Sequence, residues 1–205
     1  MRAPHWDGPP LEAWAPWTPR EVARRLEGAG VSWCVVGGWA IDLFVGRQTR
    51  EHHDLEVAVL RQDFEAVRSH LAGYALHWVS SGEVHRLASE EAPPADSFQV
   101  WVADTETDAW RVDVMLERGD ASTWVFRRDA SVTAPRASMV GVSAEGIPFL
   151  LPLGVLLYKA RDPREKDEAD FATALPLLDA PSKAWLAEAL ERVYGAHRWF
   201  ERLRT

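Results

Sequence analysis

The stretch from Val35 to Val59, VVGGWAIDLFVGRQTREHHDLEVAV, restricts the folds open to this chain more than any other. A short apolar run enters the glycine pair Gly37-Gly38, a segment from Trp39 to Val45 follows at helical spacing, and Asp54 to Leu60 alternates with period two. Strand, glycine turn, helix and strand in such close succession exclude an all-helical bundle. Side chains two apart on a strand share one face, with Cα atoms about 6.5 to 7 Å apart, so Asp54 and Glu56 can converge on one divalent cation. Magnesium suits such a pair, because it takes one or two carboxylates together with substrate phosphates. Gly37 and Gly38 lack the Cβ atoms that would hold a backbone away from a phosphate, and they open a helix whose N–H groups attract anions.

Around this segment the pattern changes along the chain. Residues 1–17, rich in proline and tryptophan, read as an irregular arm. Thr18-Pro19-Arg20-Glu21 is a capping box with proline at the first helical position, and the helix runs to about Glu27. Ser32 to Val36 reads as a buried strand and Asp63 to Leu71 as a helix. The middle is strand-rich, with candidates at Tyr74–Val79, Glu83–Ala88, Ser97–Ala103, Trp110–Leu116 and Trp124–Phe126. After Pro152 the pattern becomes helical, over Leu153–Ala160, Glu165–Leu178 and Ser182–Tyr194, with a last turn from His197 to Leu203. An α+β fold is expected, with a core over residues 1–150 and a C-terminal helical subdomain over 151–205.

Composition narrows the function. With 205 residues, 47% hydrophobic and 26% charged, the chain reads as one globular domain, or one domain with an appendage. A formal net charge of -8 opposes general affinity for nucleic acid and favours a cationic small substrate. A single cysteine, Cys34, rules out an intramolecular disulfide and fits a reducing cytoplasm. The N-terminal residues lack the apolar stretch of an export signal, and Ile147 to Leu157, broken by Pro148 and Pro152, is too short to span a bilayer. Neither a membrane nor a nucleic acid is expected as a partner, and composition leaves the oligomeric state open. The tryptophans are scattered without a repeat, which points to packing rather than base stacking.

A third acid completes the pattern. In Trp110 to Leu116, Arg111 and Asp113 share one face and Val112 and Val114 the other, so an antiparallel neighbour of the first strand would set Asp113 beside Asp54. Glycine pair, acid-apolar-acid and a later acid resemble the nucleotidyltransferase superfamily of the DNA polymerase β type. Within it, GGWAIDLFVGRQTREHHDLEV is similar to the aminoglycoside 2''-nucleotidyltransferases and the lincosamide nucleotidyltransferases. The tail continues the likeness in Tyr158-Lys159-Ala160-Arg161 and in Arg164 to Phe171, and the resemblance spans about residues 18–180.

The resemblance implies a mixed sheet flanked by helices. It also implies transfer of a nucleoside monophosphate from a nucleoside triphosphate, ATP foremost, to a hydroxyl of a small acceptor such as an aminoglycoside-like antibiotic, with pyrophosphate leaving. Asp54, Glu56 and Asp113 would hold two Mg²⁺ ions, and Asp113 would share a metal or take the acceptor's proton. Gly37, Gly38, Arg50, Lys159 and Lys166 would bind the nucleotide. The second metal acid is commonly aspartate in such relatives; here it is Glu56, one methylene longer.

Each signal has a plainer counterpart. Asp54 and Glu56 could be the solvated edge of an amphipathic strand, and Arg47 and Arg50 solvated loop residues. Asp42 reads as a structural acceptor. Adjacent His52 and His53 diverge on an extended chain and have no partners spaced for zinc. Asp167, Glu168 and Asp170 could face a cationic acceptor, or the helix could be exposed and laced with the i,i+4 ion pairs Arg164/Glu168 and Lys166/Asp170. Rival functions are a non-catalytic nucleotide-binding module of the same fold and nucleotidylation of a protein or a transfer RNA; the acidic balance disfavours the RNA.

Overall fold

The computed structural model describes residues 8–204, which fall by their contacts into two compact units. One comprises residues 8–33 and 52–117, the other residues 34–51 and 118–204. In chain order the first elements are α1 (Pro19–Arg25), β1 (Trp33–Val36), α2 (Gly37–Val45), β2 (Glu56–Leu60), α3 (Phe64–His70), β3 (Ala75–Ser80), β4 (Glu83–Arg86), β5 (Gln99–Asp104) and β6 (Ala109–Glu117). The remainder are β7 (Thr123–Val125), β8 (Thr133–Pro135), β9 (Val140–Val142), β10 (Pro148–Leu150), α4 (Pro152–Lys159), α5 (Glu165–Ala174), α6 (Ala180–Tyr194) and α7 (Phe200–Leu203). The expected boundary near residue 150 falls between β10 and α4, inside the second unit.

The first unit begins with the anticipated capping box. Glu21 N donates to Thr18 Oγ1 at 3.3 Å, and Thr18 N donates to Glu21 Oε2 at 2.8 Å. Two of the N–H groups that a helix start leaves unpaired are thereby satisfied. Thr18→Ala is expected to cost about 1 kcal/mol, read as a lower urea midpoint with an unchanged m value.

Its sheet has the order β4-β3-β5-β6-β2. Neighbours are antiparallel except β6 and β2, which are parallel. The expected antiparallel relation of the two acid-bearing strands is therefore corrected. The chain from Arg61 to Asp108 forms α3 and three strands before it returns, which is long enough to permit the parallel return that a tight turn would forbid. β2 starts at Glu56, two residues later than expected, although Leu55 O still accepts from Asp113 N at 2.8 Å. Val57, Val59, Val112 and Val114 are buried in the core of this sheet.

The register aligns Glu56, Asp113, Trp101, His77 and Arg86 across all five strands. Directly paired residues point to one face, so the row reads acid, acid, aromatic, imidazole, guanidinium. The described part of the N-terminal arm is irregular but paired: Ala15 N donates to Trp110 O at 3.0 Å and Trp17 N to Arg111 O at 2.9 Å. Trp14 and Trp110 each meet Trp101 with ring centroids 5.2 Å apart, so these tryptophans serve packing. Residues 1–7, with Trp6, lie outside the described residues.

In the second unit, β10 pairs in parallel with β1 through Val35 and Phe149, and antiparallel with β9. A separate ribbon joins β7 to β8. None of β8, β9 and β10 was expected, because three residues are too few to display an alternation. α4 is nearly all apolar and buries Leu156 and Leu157 completely. The tail is fastened to α5: Trp199 stacks on Phe171 at 4.2 Å, its indole N–H donates to Glu168 at 2.9 Å, and Arg198 meets Glu168 at 2.7 Å. Among the described residues, no helix is long and apolar enough to cross a membrane.

Candidate active site

The three acids of the first unit differ in their surroundings. Asp54 precedes β2 and is exposed, Glu56 is half-buried, and Asp113 on β6 is only 5% exposed. Because β2 and β6 are parallel and in register, Glu56 stands directly opposite Asp113. Gln99 Nε2 donates to Asp113 Oδ2 at 2.7 Å, while Oδ1 is buried and has no hydrogen-bond partner. The Trp101 indole is near enough to favour the charged carboxylate, yet its N–H, like Oδ1, is not in bonding geometry. Burial pushes the Asp113 carboxyl up to about 8, and the neighbouring Glu56 adds to the rise. Gln99 and Trp101 oppose it, and Asp54 contributes a smaller push upward. Two carboxylates set against each other, one with an orphaned oxygen, form the donor set that a hard divalent cation relieves.

Among the described residues, no three His, Cys, Asp or Glu side chains already form a cage for a metal. Magnesium needs no such cage, since it keeps several waters and draws the rest of its shell from substrate phosphates. Asp54 and Glu56, whose charges act on the buried Asp113, have the oxygen chemistry that suits that partial role. Gln99 and Trp101 were not singled out from the sequence. Strand alternation puts them on one face, but only the β5 to β6 register shows that this face is Asp113's.

The second unit holds the glycine turn and the cations. Gly37 adopts φ +65, in the left-handed region that disfavours side chains, at the first helical residue, where β1 gives way to α2. Gly38 follows within α2. Asp42 is buried and accepts from Thr49 N at 3.1 Å and from the Thr49 hydroxyl, so it anchors the loop leading to Arg50. Arg50 grips Asp170 with two nitrogens, Nε at 2.9 Å and a terminal nitrogen at 3.1 Å.

Lys159, at the end of α4, lies 2.7 Å from Asp167 and 3.0 Å from Asp170. Asp167 also accepts from Arg164 Nε at 2.9 Å and from its backbone N at 3.1 Å. Burial opposes the charge on Asp167, but Arg164 and Lys159 outweigh it and hold the carboxyl at about 2. Lys166 is exposed on α5. Asp167 and Asp170 thus turn inward to cations of their own unit, and Glu168 to Trp199, Arg198 and Arg202.

Known proteins give this arrangement a lineage. A crystal structure of ANT(2'')-Ia in complex with adenylyl-2''-tobramycin is 16% identical, covers 84% of this chain and 95% of its own, and superposes with a TM-score of 0.53. A solution structure of the antibiotic-resistance factor ANT(2'')-Ia gives 16% identity, 84% and 89% coverage and a TM-score of 0.51. The lincomycin-bound lincosamide antibiotic adenylyltransferase LnuA gives 18%, 75% and 92%, and 0.51. These likenesses establish an α+β nucleotidyltransferase fold with a mixed sheet and flanking helices. No curated protein sequence matches the chain significantly. A sequence profile described as aminoglycoside-2''-adenylyltransferase matches residues 20–174, which is most of the chain. The chain therefore belongs to the aminoglycoside-2''-adenylyltransferase family and is a nucleotidyltransferase.

Proposed function

We propose that this enzyme transfers a nucleoside monophosphate, with ATP as the donor, to a hydroxyl of an aminoglycoside-like, cationic acceptor. The observation that carries the reading is the half-buried Glu56 in direct register with the buried Asp113, whose Oδ1 is unpartnered. The acceptor oxygen forms a bond to the α-phosphorus, the bond from that phosphorus to the bridging oxygen breaks, and pyrophosphate leaves with the bonding electrons.

Asp54, Glu56 and Asp113 would hold magnesium, two ions in the full complex. Magnesium there would neutralise phosphate charge and stabilise the attacking and leaving oxygens. Asp113 has the second role of receiving the acceptor's proton, since a carboxyl whose proton affinity lies near neutral pH is suited to general base work. Gly37 and Gly38 offer backbone N–H groups to phosphate oxygens, and Arg50, Lys159 and Lys166 offer cationic donors. The net charge of -8 favours a polycationic acceptor. That chemistry agrees with the family and with the tobramycin adduct held by ANT(2'')-Ia.

Incubation with Mg²⁺, each nucleoside triphosphate in turn and a panel of aminoglycosides and lincosamides tests the reading. Acceptor-dependent pyrophosphate release, greatest with ATP and an aminoglycoside, is expected. Release no greater than in acceptor-free reactions across the whole panel would overturn it; nucleotide binding without turnover would instead support a non-catalytic module.

A further inference from the structure

We propose that Asp170 is a positioning residue for the nucleotide, holding Arg50 and Lys159 in the places from which they grip the triphosphate. The inference rests on the reading of those two cations as nucleotide ligands. Asp170 is 2% exposed and lies on α5, yet it engages one cation from the loop after α2 and another from the end of α4. A buried carboxylate is costly unless its partners are fixed, and here three donor nitrogens surround it. The guanidinium fork is planar, so two bonds to Asp170 fix the orientation of Arg50 as well as its distance.

The cluster has an inside and an outside. Asp167 and Asp170 are each 2% exposed, whereas Lys159, Arg50 and Arg164 are 11%, 22% and 66% exposed. The carboxylates are sealed, and Lys159 and Arg50 above them are mostly buried but keep some exposed surface. Lys159 carries three donor hydrogens and uses its bonds to Asp167 and Asp170, which leaves capacity for one further acceptor. Two partly exposed cations with spare donors, held in place by buried carboxylates, complement an oxyanion chain. Pre-positioning removes the entropy cost of ordering two long side chains when the ligand arrives. A loss of Asp170 should therefore weaken the grip on the β- and γ-phosphates and spare the contacts to base, ribose and α-phosphate.

The test is calorimetric binding of a non-hydrolysable ATP analogue with Mg²⁺, and separately of AMP, to wild-type chain, Asp170→Asn and Arg50→Lys. Both variants are expected to weaken triphosphate binding about tenfold or more, to change AMP binding less than twofold, and to raise the nucleotide KM more than they lower kcat. Arg50→Lys keeps the charge but removes the fork, so it carries the test if Asp170→Asn does not fold. Equal weakening of both ligands would mark Asp170 as merely structural, and no weakening of either would also overturn the proposal. If wild-type chain binds the triphosphate no more tightly than AMP, the assignment of Arg50 and Lys159 as phosphate ligands fails, which is a distinct result.

Discussion

Asp113→Asn is expected to lower turnover by about 10² to 10⁴-fold, the range for loss of a general base, while making the chain more stable at alkaline pH. Asparagine keeps the shape and can still accept from Gln99, so the change removes charge and proton affinity rather than packing. In the folded chain the Asp113 carboxyl is raised to about 8, against an ordinary value near about 4. Between those limits the folded state holds a proton that the unfolded state has released. Its contribution to stability is fully present below the ordinary value and is lost as pH rises through about 8. A tenfold change in proton affinity corresponds to about 1.4 kcal/mol, so the charged form costs several kcal/mol, and asparagine escapes that cost. Urea unfolding at pH 6 and pH 9 should show the advantage of Asp113→Asn widening with pH. An advantage that shrinks with pH, or turnover within tenfold of wild type, would refute the assignment.

Lys159→Met should destabilise the fold by about 3 kcal/mol, the lower end of the range for breaking a buried ion pair. The lower end applies because Asp170 keeps Arg50 and Asp167 keeps Arg164. The flexible methionine fills the volume of the lysine stem, so the loss reports charge rather than a cavity. The pH dependence has the opposite sign to that of Asp113. Asp167 is held at about 2, below its ordinary value, so its ion pairing stabilises the fold above the ordinary range and is lost as pH falls through about 2. The deficit of Lys159→Met should be greatest near neutrality and should narrow below about pH 4 as the unpaired carboxylates take up protons. Denaturant titrations at pH 7 and pH 3.5 measure the difference, and a deficit under about 1 kcal/mol at pH 7 would show that the network contributes little.

Much of this was legible in the residues because it rests on local rules. The capping box at Thr18, the helix opening at the glycine pair and the acid-apolar-acid alternation each depend on neighbours within a few positions. Long-range facts were not legible. The antiparallel placing of β6 failed because alternation shows which face a side chain takes but not the direction of the strand beside it. β9 and β10, three residues each, acquire strand character only by pairing. Glu168 and Asp170 show the same limit: i,i+4 spacing suggested pairs with Arg164 and Lys166 on an exposed helix, whereas Glu168 meets Arg198 and Arg202 from the tail and the buried Asp170 meets Lys159 from α4 and Arg50 from far upstream in the chain. Gln99 and Trp101 entered the site only through the register of β5 against β6.

The parallel alignment of β2 and β6 bears on how such an enzyme can diversify. Backbone hydrogen bonds along two strands set Glu56 against Asp113, and no tight turn joins those strands, so their pairing is indifferent to the length of the excursion between them. The tip at Ser81-Gly82 and the largely exposed stretch over residues 88–96 can lengthen or shorten without sliding one carboxylate past the other. Variation can thus accumulate there while the two carboxylates keep their register, which makes that excursion the place to randomise in a library that must preserve the proposed site.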